Sequence, residues 1–396
     1  MISSKRNKTV FIDNEAASAL KLLKDGLLAP LKHLMNKQES QEVLHSGLFQ
    51  GVSFPFPFIL APAGKKNEQV ISSLQKGEMI TLICDNEEFA VLEVDEIFEI
   101  DSVARVKKIY GTDDFSHPGV QRTLKRLGSF AISGEYQLLN DVPNQYFDKI
   151  NECKKQLNAK HISSLFMAAN PLHRAHERLI RNTLDTTDLL VIFLLKPYGD
   201  ENLSYTIRKE VLEFFITHFL PKNRIVIVPL ENSYLFAGFN EIVIDAIVAK
   251  NYGCHRVTIG SNHAGLGVFY DTNLHKSVID NIKGIDIDIE ISSEYVYCDK
   301  CTTLVSTKNC PHGKHHHISY RADSILTLLE LGLVPPAVLM RKEISAFILS
   351  KMHPNRIRNL EKLYYDIFPV EGLLQEHNEK DFYIELMKLY QTTSLT

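Results

Sequence analysis

The 396-residue sequence is too long for one ordinary domain, so two or three packed units with a large buried core are expected. Its 44 basic and 48 acidic residues leave a formal net charge of -4, which draws neither nucleic acid nor a membrane surface to the chain as a whole, so any anion site must be local. No run reaches the roughly 18 apolar residues of a membrane span, and the basic start "MISSKRNK" leads into "TVFIDNEAAS" with no apolar signal core, so a soluble cytoplasmic protein is expected.

In chain order, the first 150 residues or so show short strands broken by turns. "SFPFPFILAPA" is an aromatic, Pro-rich strand segment, "EMITLICD" and "EFAVLEVDEIFEI" are paired strands, and "YGTDDFSHPGVQRTL" is a turn cluster running into a short helix. A small β-rich domain over residues 1–150 fits best. From about 151 the texture changes to apolar strands alternating with helical patterns: "HISSLFMA", "PLHRAHERLIRNTL", "LLVIFLLKP", "YTIRKEVLEFFITHF", "RIVIVPL", "EIVIDAIVAKNYG" and "HRVTIG". Such alternation predicts parallel βαβ units in a doubly wound α/β sheet. After about 325 the chain is mainly helical, with a Pro-Pro break, and forms a small C-terminal domain over 326–396.

The most informative stretch is "FMAANPLHRAHERL". "HISSLFMA" is a strand, Asn170 can cap a helix, Pro171 suits its first position, and the helix runs on from Leu172. His173 and His176 then share one face near the positive end of that helix, where unpaired backbone N–H groups favour an anion. A phosphate placed there meets two imidazoles and a helix dipole. The residues alone also allow two surface histidines of an amphipathic helix, or a metal site for which no third ligand stands at a useful spacing nearby.

A strand, Asn-Pro-x-His-x-x-His and a helix together resemble the HxGH-type nucleotidyltransferases, which have a Rossmann-like fold, and "NPLHRAHE" is similar to the ATP sulfurylase (sulfate adenylyltransferase) family in particular. Other segments resemble that family in the same order. "GLLAPLKHLM" and "YGTDDFSHPGV" look like its PUA-like first domain. "LLKPYGD", "GSNHAG", "YCDKCTTLVSTKNCPH" and "GLVPPAVLMRKEI" look like its catalytic and C-terminal segments. The resemblance implies that His173, His176 and Asn170 hold the phosphates of ATP, accompanied by magnesium, while a sulfate oxygen attacks the α-phosphorus and pyrophosphate leaves. It also places Gly260, His263, Ala264 and Gly265 of "GSNHAG", and Val305, at the nucleotide. A homo-oligomer acting on a nucleoside triphosphate and a small-molecule acceptor, with no nucleic-acid or membrane partner, is expected.

The departures are as informative. Where the family has the Gln and Arg that grip sulfate, this chain has Met167 and Ala169. Ser261 and Asn262 stand in place of Arg-Asp, and the Ser-Gly-Thr stretch with its following Arg has become "ISYRADSI", leaving Arg321. A charge-assisted contact to an oxyanion contributes roughly 1.5–3 kcal/mol, so losing two arginines without replacement weakens anion affinity by orders of magnitude. Arg174, Lys196 and Arg321 are the replacements that the sequence offers. The acceptor site is thus altered, and two further readings stand beside sulfate adenylylation: transfer to a different small-molecule acceptor, and a catalytically silent nucleotide-binding homologue.

Six cysteines in a chain of this size do not form a disulfide framework, and three crowd into "CDKCTTLVSTKNCPHGKHHH". Cys298 and Cys301 make a C-x2-C pair, Cys310 follows, and histidines stand close behind. Three thiolates and an imidazole make a closed, structural zinc site within residues 298–317, consistent with a reducing compartment. Some ATP sulfurylases carry a zinc segment of this kind. The family spacing falls on Lys314, which leaves His315 or His312 as the fourth ligand, and His315 is taken.

Overall fold

The computed structural model describes residues 8–196, 203–231, 237–266, 269–270, 279–368 and 376–390. In chain order the first elements are β1 (Lys8–Phe11), α1 (Asn14–Lys24), α2 (Lys37–Ser46), β2 (Leu48–Phe49), β3 (Val52–Ser53), β4 (Leu60–Pro62), α3 (Lys65–Ile71), β5 (Met79–Cys84), β6 (Glu87–Glu99), α4 (Ser102–Tyr110), α5 (Pro118–Arg126) and β7 (Leu127–Leu138). Then come α6 (Tyr146–Leu157), β8 (Ile162–Met167), α7 (Arg174–Asp185), β9 (Leu189–Lys196), α8 (Tyr205–Phe219), β10 (Ile225–Glu231), α9 (Phe239–Asn251), β11 (Arg256–Ile259) and β12 (Asp288–Ile291). The last are β13 (Tyr295–Cys298), β14 (Thr303–Ser306), β15 (His317–Ser319) and the helices α10 (Ala322–Glu330), α11 (Lys342–Met352), α12 (Leu360–Ile367) and α13 (Glu379–Tyr390).

These elements fall into two compact units. The first comprises Met1–Phe166, Thr187–Tyr198 and Val226–Ile291. Its N-terminal sheet has the order β1-β5-β6-β7-β4. The expected strand pair is β5 and β6, antiparallel from Met79 opposite Glu93 to Cys84 opposite Glu87. Alternation within them buries Ile80, Leu82, Ala90, Leu92 and Val94, as a sheet packed on one face requires. "YGTDDFSHPGVQRTL" is also as expected: His117 caps α5 through its ring nitrogen, and Pro118 opens the helix. "SFPFPFILAPA" differs, for only Val52–Ser53 and Leu60–Pro62 are strand. Pro55 and Pro57 have no N–H to give a ladder, yet Phe54, Phe56 and Phe58 still fill the core.

The second sheet of this unit has the order β10-β9-β8-β11-β12. β11 runs parallel to both β8 and β12. Every residue of β8 is buried, and so is β9 up to Leu195, the near-continuous apolar character of strands covered on both faces. The strand order reverses between β8 and β11, the place where open α/β sheets bind ligands beyond the strands' carboxyl ends. The chain follows these two strands with the segments "AANPLHRAH" and "GSNHAG".

The second unit comprises Met167–Thr186, Gly199–Ile225 and Ser292–Thr396. It holds α7, α8, a three-stranded antiparallel sheet of order β14-β13-β15, and the small C-terminal helical region. There α11 packs against α13 and α8. Among the described residues no helix is long and apolar enough to cross a membrane.

Candidate functional site

The segment that joins β8 to α7 does not enter the helix where Asn170 and Pro171 suggest. Ala169 adopts a left-handed backbone (φ 48°), the Asn170–Pro171 bond is cis, and α7 starts only at Arg174 with His173 as its N-cap. Both histidines therefore lie in the first turn, closer to the helix end than expected. His173 donates its backbone N–H to Nδ1 of His176 (3.3 Å). The two rings stack with centroids 3.8 Å apart, and Tyr320 stacks on His173 at 5.4 Å.

Burial decides the charge of this pair. His176 is pushed down to about 4 by loss of water. His173, 7 % exposed, falls well below the usual imidazole range for the same reason, with the neighbouring His176 ring adding to the shift. Both are neutral at pH 7, so without a ligand they are hydrogen-bonding groups rather than cations. Nδ1 of His173 and Oδ1 of Asn170 are buried and make no hydrogen bond among the described residues. Buried polar atoms of this sort are rare away from sites that take a ligand or water.

The rest of the first turn is fixed from the C-terminal side of the same unit. Glu177, 5 % exposed, pairs with Arg341 (2.9 Å) and Arg174 (3.2 Å). Arg174 also donates through its backbone N–H to Leu339 and through Nε to Ala337. Tyr320 donates to the Val338 carbonyl (2.8 Å). Arg174 is thus engaged in holding α7 and is not a free acceptor cation. Lys196 is ion-paired with Glu231 (2.7 Å), and Arg321 is exposed at the start of α10. Met167 and Ala169 are 4 % and 2 % exposed, so the residues standing where the resemblance expects Gln and Arg are interior ones.

A cation that the sequence reading missed lies nearby in chain and space. Arg208 of α8, 1 % exposed, donates Nη1 to the Ala168 carbonyl. The signal was present: Arg208, Val211, Leu212, Phe215 and Ile216 make the buried stripe of α8, so a charge falls where helical spacing calls for an apolar residue.

In the first unit, the loop after β11 is tied down by its own side chain. Nε2 of His263 lies 2.7 Å from Oδ2 of Asp245 and 3.9 Å from Glu241, both carboxylates on α9 and both 3 % exposed. Burial works against charge on His263, but the Asp245 carboxylate, helped by Glu241, lifts it above the usual range. Ala264 is left-handed (φ 57°), and its carbonyl accepts from Gly238 (2.9 Å). The His263 imidazole is therefore turned to α9. Gly260 and Ser261 are half-buried, and Ala264 and Gly265 buried. Val305 sits within β14 opposite Val296 of β13, in the second unit.

The cysteine segment forms one cluster. Nδ1 of His312 lies 3.4 Å from Cys298 Sγ, 3.3 Å from Cys301 Sγ and 3.7 Å from Cys310 Sγ, and the last two sulfurs are 3.9 Å apart. A tetrahedral zinc with its usual bond lengths sets ligand atoms about 3.5–3.8 Å apart, so the donors fit. The fourth member is His312 and not His315. The turn Lys314–His316 carries His315 out to the surface, whereas His312 follows Cys310 by only two residues. His317 adds an outer contact, Nε2 to Cys310 Sγ at 3.3 Å.

With this geometry in view, comparison with known proteins is direct. A family model for ATP-sulfurylase matches residues 144–351, just over half of the chain. The chain belongs to the ATP-sulfurylase family. A PUA-like domain model matches residues 2–141, as the N-terminal motifs suggested. Proteins named sulfate adenylyltransferase are similar at 28% identity over 377 residues in Staphylothermus marinus (89% of this chain, 96% of that protein), and at 27% over 355 residues in Halothermothrix orenii (87% and 91%). Among solved structures, the hexameric APS kinase from Thiobacillus denitrificans shares the fold (TM-score 0.61, 15% identity), with 89% of this chain aligned and 64% of that chain covered.

For this family member, the neutral histidine pair makes stability pH-dependent. A histidine whose folded pKa lies below its unfolded value near 6.5 stabilises the fold fully above about pH 6.5, and that stabilisation is lost as pH falls toward the folded value, about 4 for His176. Urea unfolding followed from pH 7 to 4.5 should show a decline on the order of a few kcal/mol, and His176→Gln should flatten part of it. A profile identical in the two proteins would show that His176 is not buried neutral.

Proposed function

We propose that the chain is a sulfate adenylyltransferase-like nucleotidyltransferase that binds ATP, with magnesium as the counter-ion of its phosphates, and moves the adenylyl group to an acceptor oxygen. The observation that carries this is the first turn of α7 in a family member, where the neutral imidazoles of His173 and His176 stack and the buried Nδ1 of His173 and Oδ1 of Asn170 make no hydrogen bond among the described residues. A sulfate oxygen forms a bond to the α-phosphorus as the bond to the bridging oxygen breaks, and pyrophosphate leaves in line. The chain supplies positioning and charge neutralisation rather than a covalent nucleophile. His173 and His176 accept protons as phosphate oxygens approach, and Asn170 orients. In the first unit His263 is held by Asp245, so for the loop after β11 the nucleotide role that the family resemblance implies falls to the backbone of Gly260, Ala264 and Gly265. His173→Ala and His176→Ala should each weaken ATP binding by about tenfold or more, the size of a charge-assisted contact. Unchanged affinity in both would remove the first turn from the nucleotide site.

Met167 and Ala169 supply no donors to a dianion, and leaving a buried charge unpaired costs several kcal/mol. Sulfate adenylylation is therefore expected below roughly 1 per second, the lower end of ordinary enzyme rates, and Met167→Gln with Ala169→Arg should raise it. Ordinary rates in the unaltered protein would show that another residue holds sulfate. The same two positions favour a second reading, transfer to a phosphorylated or less charged acceptor. Pyrophosphate release across a panel of acceptors separates it from sulfate.

The Cys298, Cys301, Cys310 and His312 cluster is proposed to hold one structural zinc, which would tie β13 to the turns beside it. Thiolate ligands and a closed donor set suit that metal. Untagged protein should contain about one zinc per chain, and Cys301→Ser should lower both metal content and thermal stability. Less than about a tenth of an equivalent, or undiminished stability, contradicts a structural site.

A further inference from the structure

The three-stranded sheet β14-β13-β15 of the second unit has little core of its own. Its strands run four, four and three residues, and of these residues only Val296 and Cys298 are buried. Strands this short, with so little apolar surface removed from water, do not hold a register by packing. The cysteine cluster is placed to hold it instead. Cys298 ends β13, His317 opens β15 directly opposite it, and His317 Nε2 lies 3.3 Å from Cys310 Sγ. The cluster therefore reaches both strands, and a metal bound there couples their geometry to its own.

Both strands lead to α7. At the start of β13 the Tyr295 hydroxyl accepts from Nδ2 of Asn182 on that helix. Directly after β15, Tyr320 lays its ring on His173, with centroids 5.4 Å and planes 21° apart, inside the range of aromatic stacking. Its hydroxyl donates to the carbonyl of the exposed Val338 (2.8 Å). His173 also stacks on His176, while its Nδ1 makes no hydrogen bond among the described residues. Ring contacts, rather than a bond to Nδ1, thus fix how this imidazole points. Tyr320 lies in "ISYRADSI", where the family resemblance expects Ser-Gly-Thr, so the ring over His173 is a feature of this chain.

We propose that Tyr320 is a positioning residue for His173, held in place by the metal cluster through β15, so that occupancy of that cluster sets how well the first turn of α7 receives phosphate. The inference rests on the zinc and nucleotide readings above and adds a link between them. Tyr320 takes no proton and touches no substrate in this role. It keeps the imidazole of His173 in the orientation that meets the nucleotide.

The test uses the full-length protein, isotopically labelled at histidine Cε1, zinc-loaded and then zinc-stripped under reducing conditions. The His173 resonance is assigned by its loss in His173→Gln, and a ring stacked on the imidazole shifts it upfield. Stripping should move this resonance toward its position in Tyr320→Leu, reloading zinc should return it, and Tyr320→Phe, which keeps the ring, should leave it in place. On the same samples, affinity for a non-hydrolysable ATP analogue should fall about two- to tenfold on stripping and in Tyr320→Leu, the size of one aromatic stacking contact, and stay within about twofold in Tyr320→Phe. A His173 resonance unmoved in Tyr320→Leu overturns the positioning role, and one unmoved by stripping overturns the metal link, with the zinc and nucleotide readings intact. Protein that takes up no zinc overturns the zinc reading and the link together. Failure of every sample to bind the analogue overturns the nucleotide reading, and the resonance still decides the role of Tyr320. If stripped protein unfolds, cadmium in place of zinc decides, because its longer bonds move the sulfur ligands: a His173 resonance that shifts on exchange supports the link, and an unmoved one contradicts it.

Discussion

Two imidazoles stacked 3.8 Å apart in the first turn of α7 cannot both be charged, and the contacts around that turn keep them neutral and in place. The backbone N–H of His173 is given to Nδ1 of His176, which leaves the proton of His176 on Nε2. Tyr320 covers the outer face of His173. Glu177 then collects Arg174 and Arg341, an ion cluster that holds both guanidiniums in place beside the pair and keeps one net positive charge. The imidazoles themselves are neutral and can become charged when phosphate arrives, because an adjacent anion favours the imidazolium.

This arrangement explains why the altered positions matter. In a wall of neutral histidines the fixed positive charge must come from arginine, and Met167 and Ala169 do not provide it. Arg174, one residue beyond His173, is tied to Glu177 and to the Ala337 carbonyl. Arg208 reaches the segment from a different helix. Side chains from both α7 and α8 therefore fix the segment that follows β8. In the first unit the opposite solution appears, where His263 is held against two buried carboxylates and fixes a loop rather than meeting a ligand.

Much of this was legible in the sequence because it rests on local rules. Alternation gave β5 and β6, continuous apolar runs gave β8 and β9, and His117-Pro118 gave the start of α5. The C-x2-C spacing pointed to a metal cluster, and the motif around His173 pointed to the family. What was missed depends on backbone turns or on long-range partners. Asn170-Pro171 carries every local sign of a helix start, but a left-handed Ala169 delays the helix to Arg174. Spacing alone could not choose between His312 and His315, since a short turn over 314–316 moves one ring away. Arg208 and the Asp245–Glu241 pair were readable only as charges on apolar helix faces. Their partners, Ala168 and His263, lie 40 and 18 residues away in the chain.

The most direct test of the central claim, that the neutral histidine pair is the phosphate site, is the proton balance of ATP binding. Titration calorimetry at pH 6.5 in buffers of different ionisation enthalpy measures it. Binding should take up protons in the unaltered protein, because the arriving phosphates raise the depressed imidazole pKa values, and uptake should fall when His173 or His176 is replaced. Binding that takes up no protons, with affinity unchanged from pH 5.5 to 8, would contradict the account.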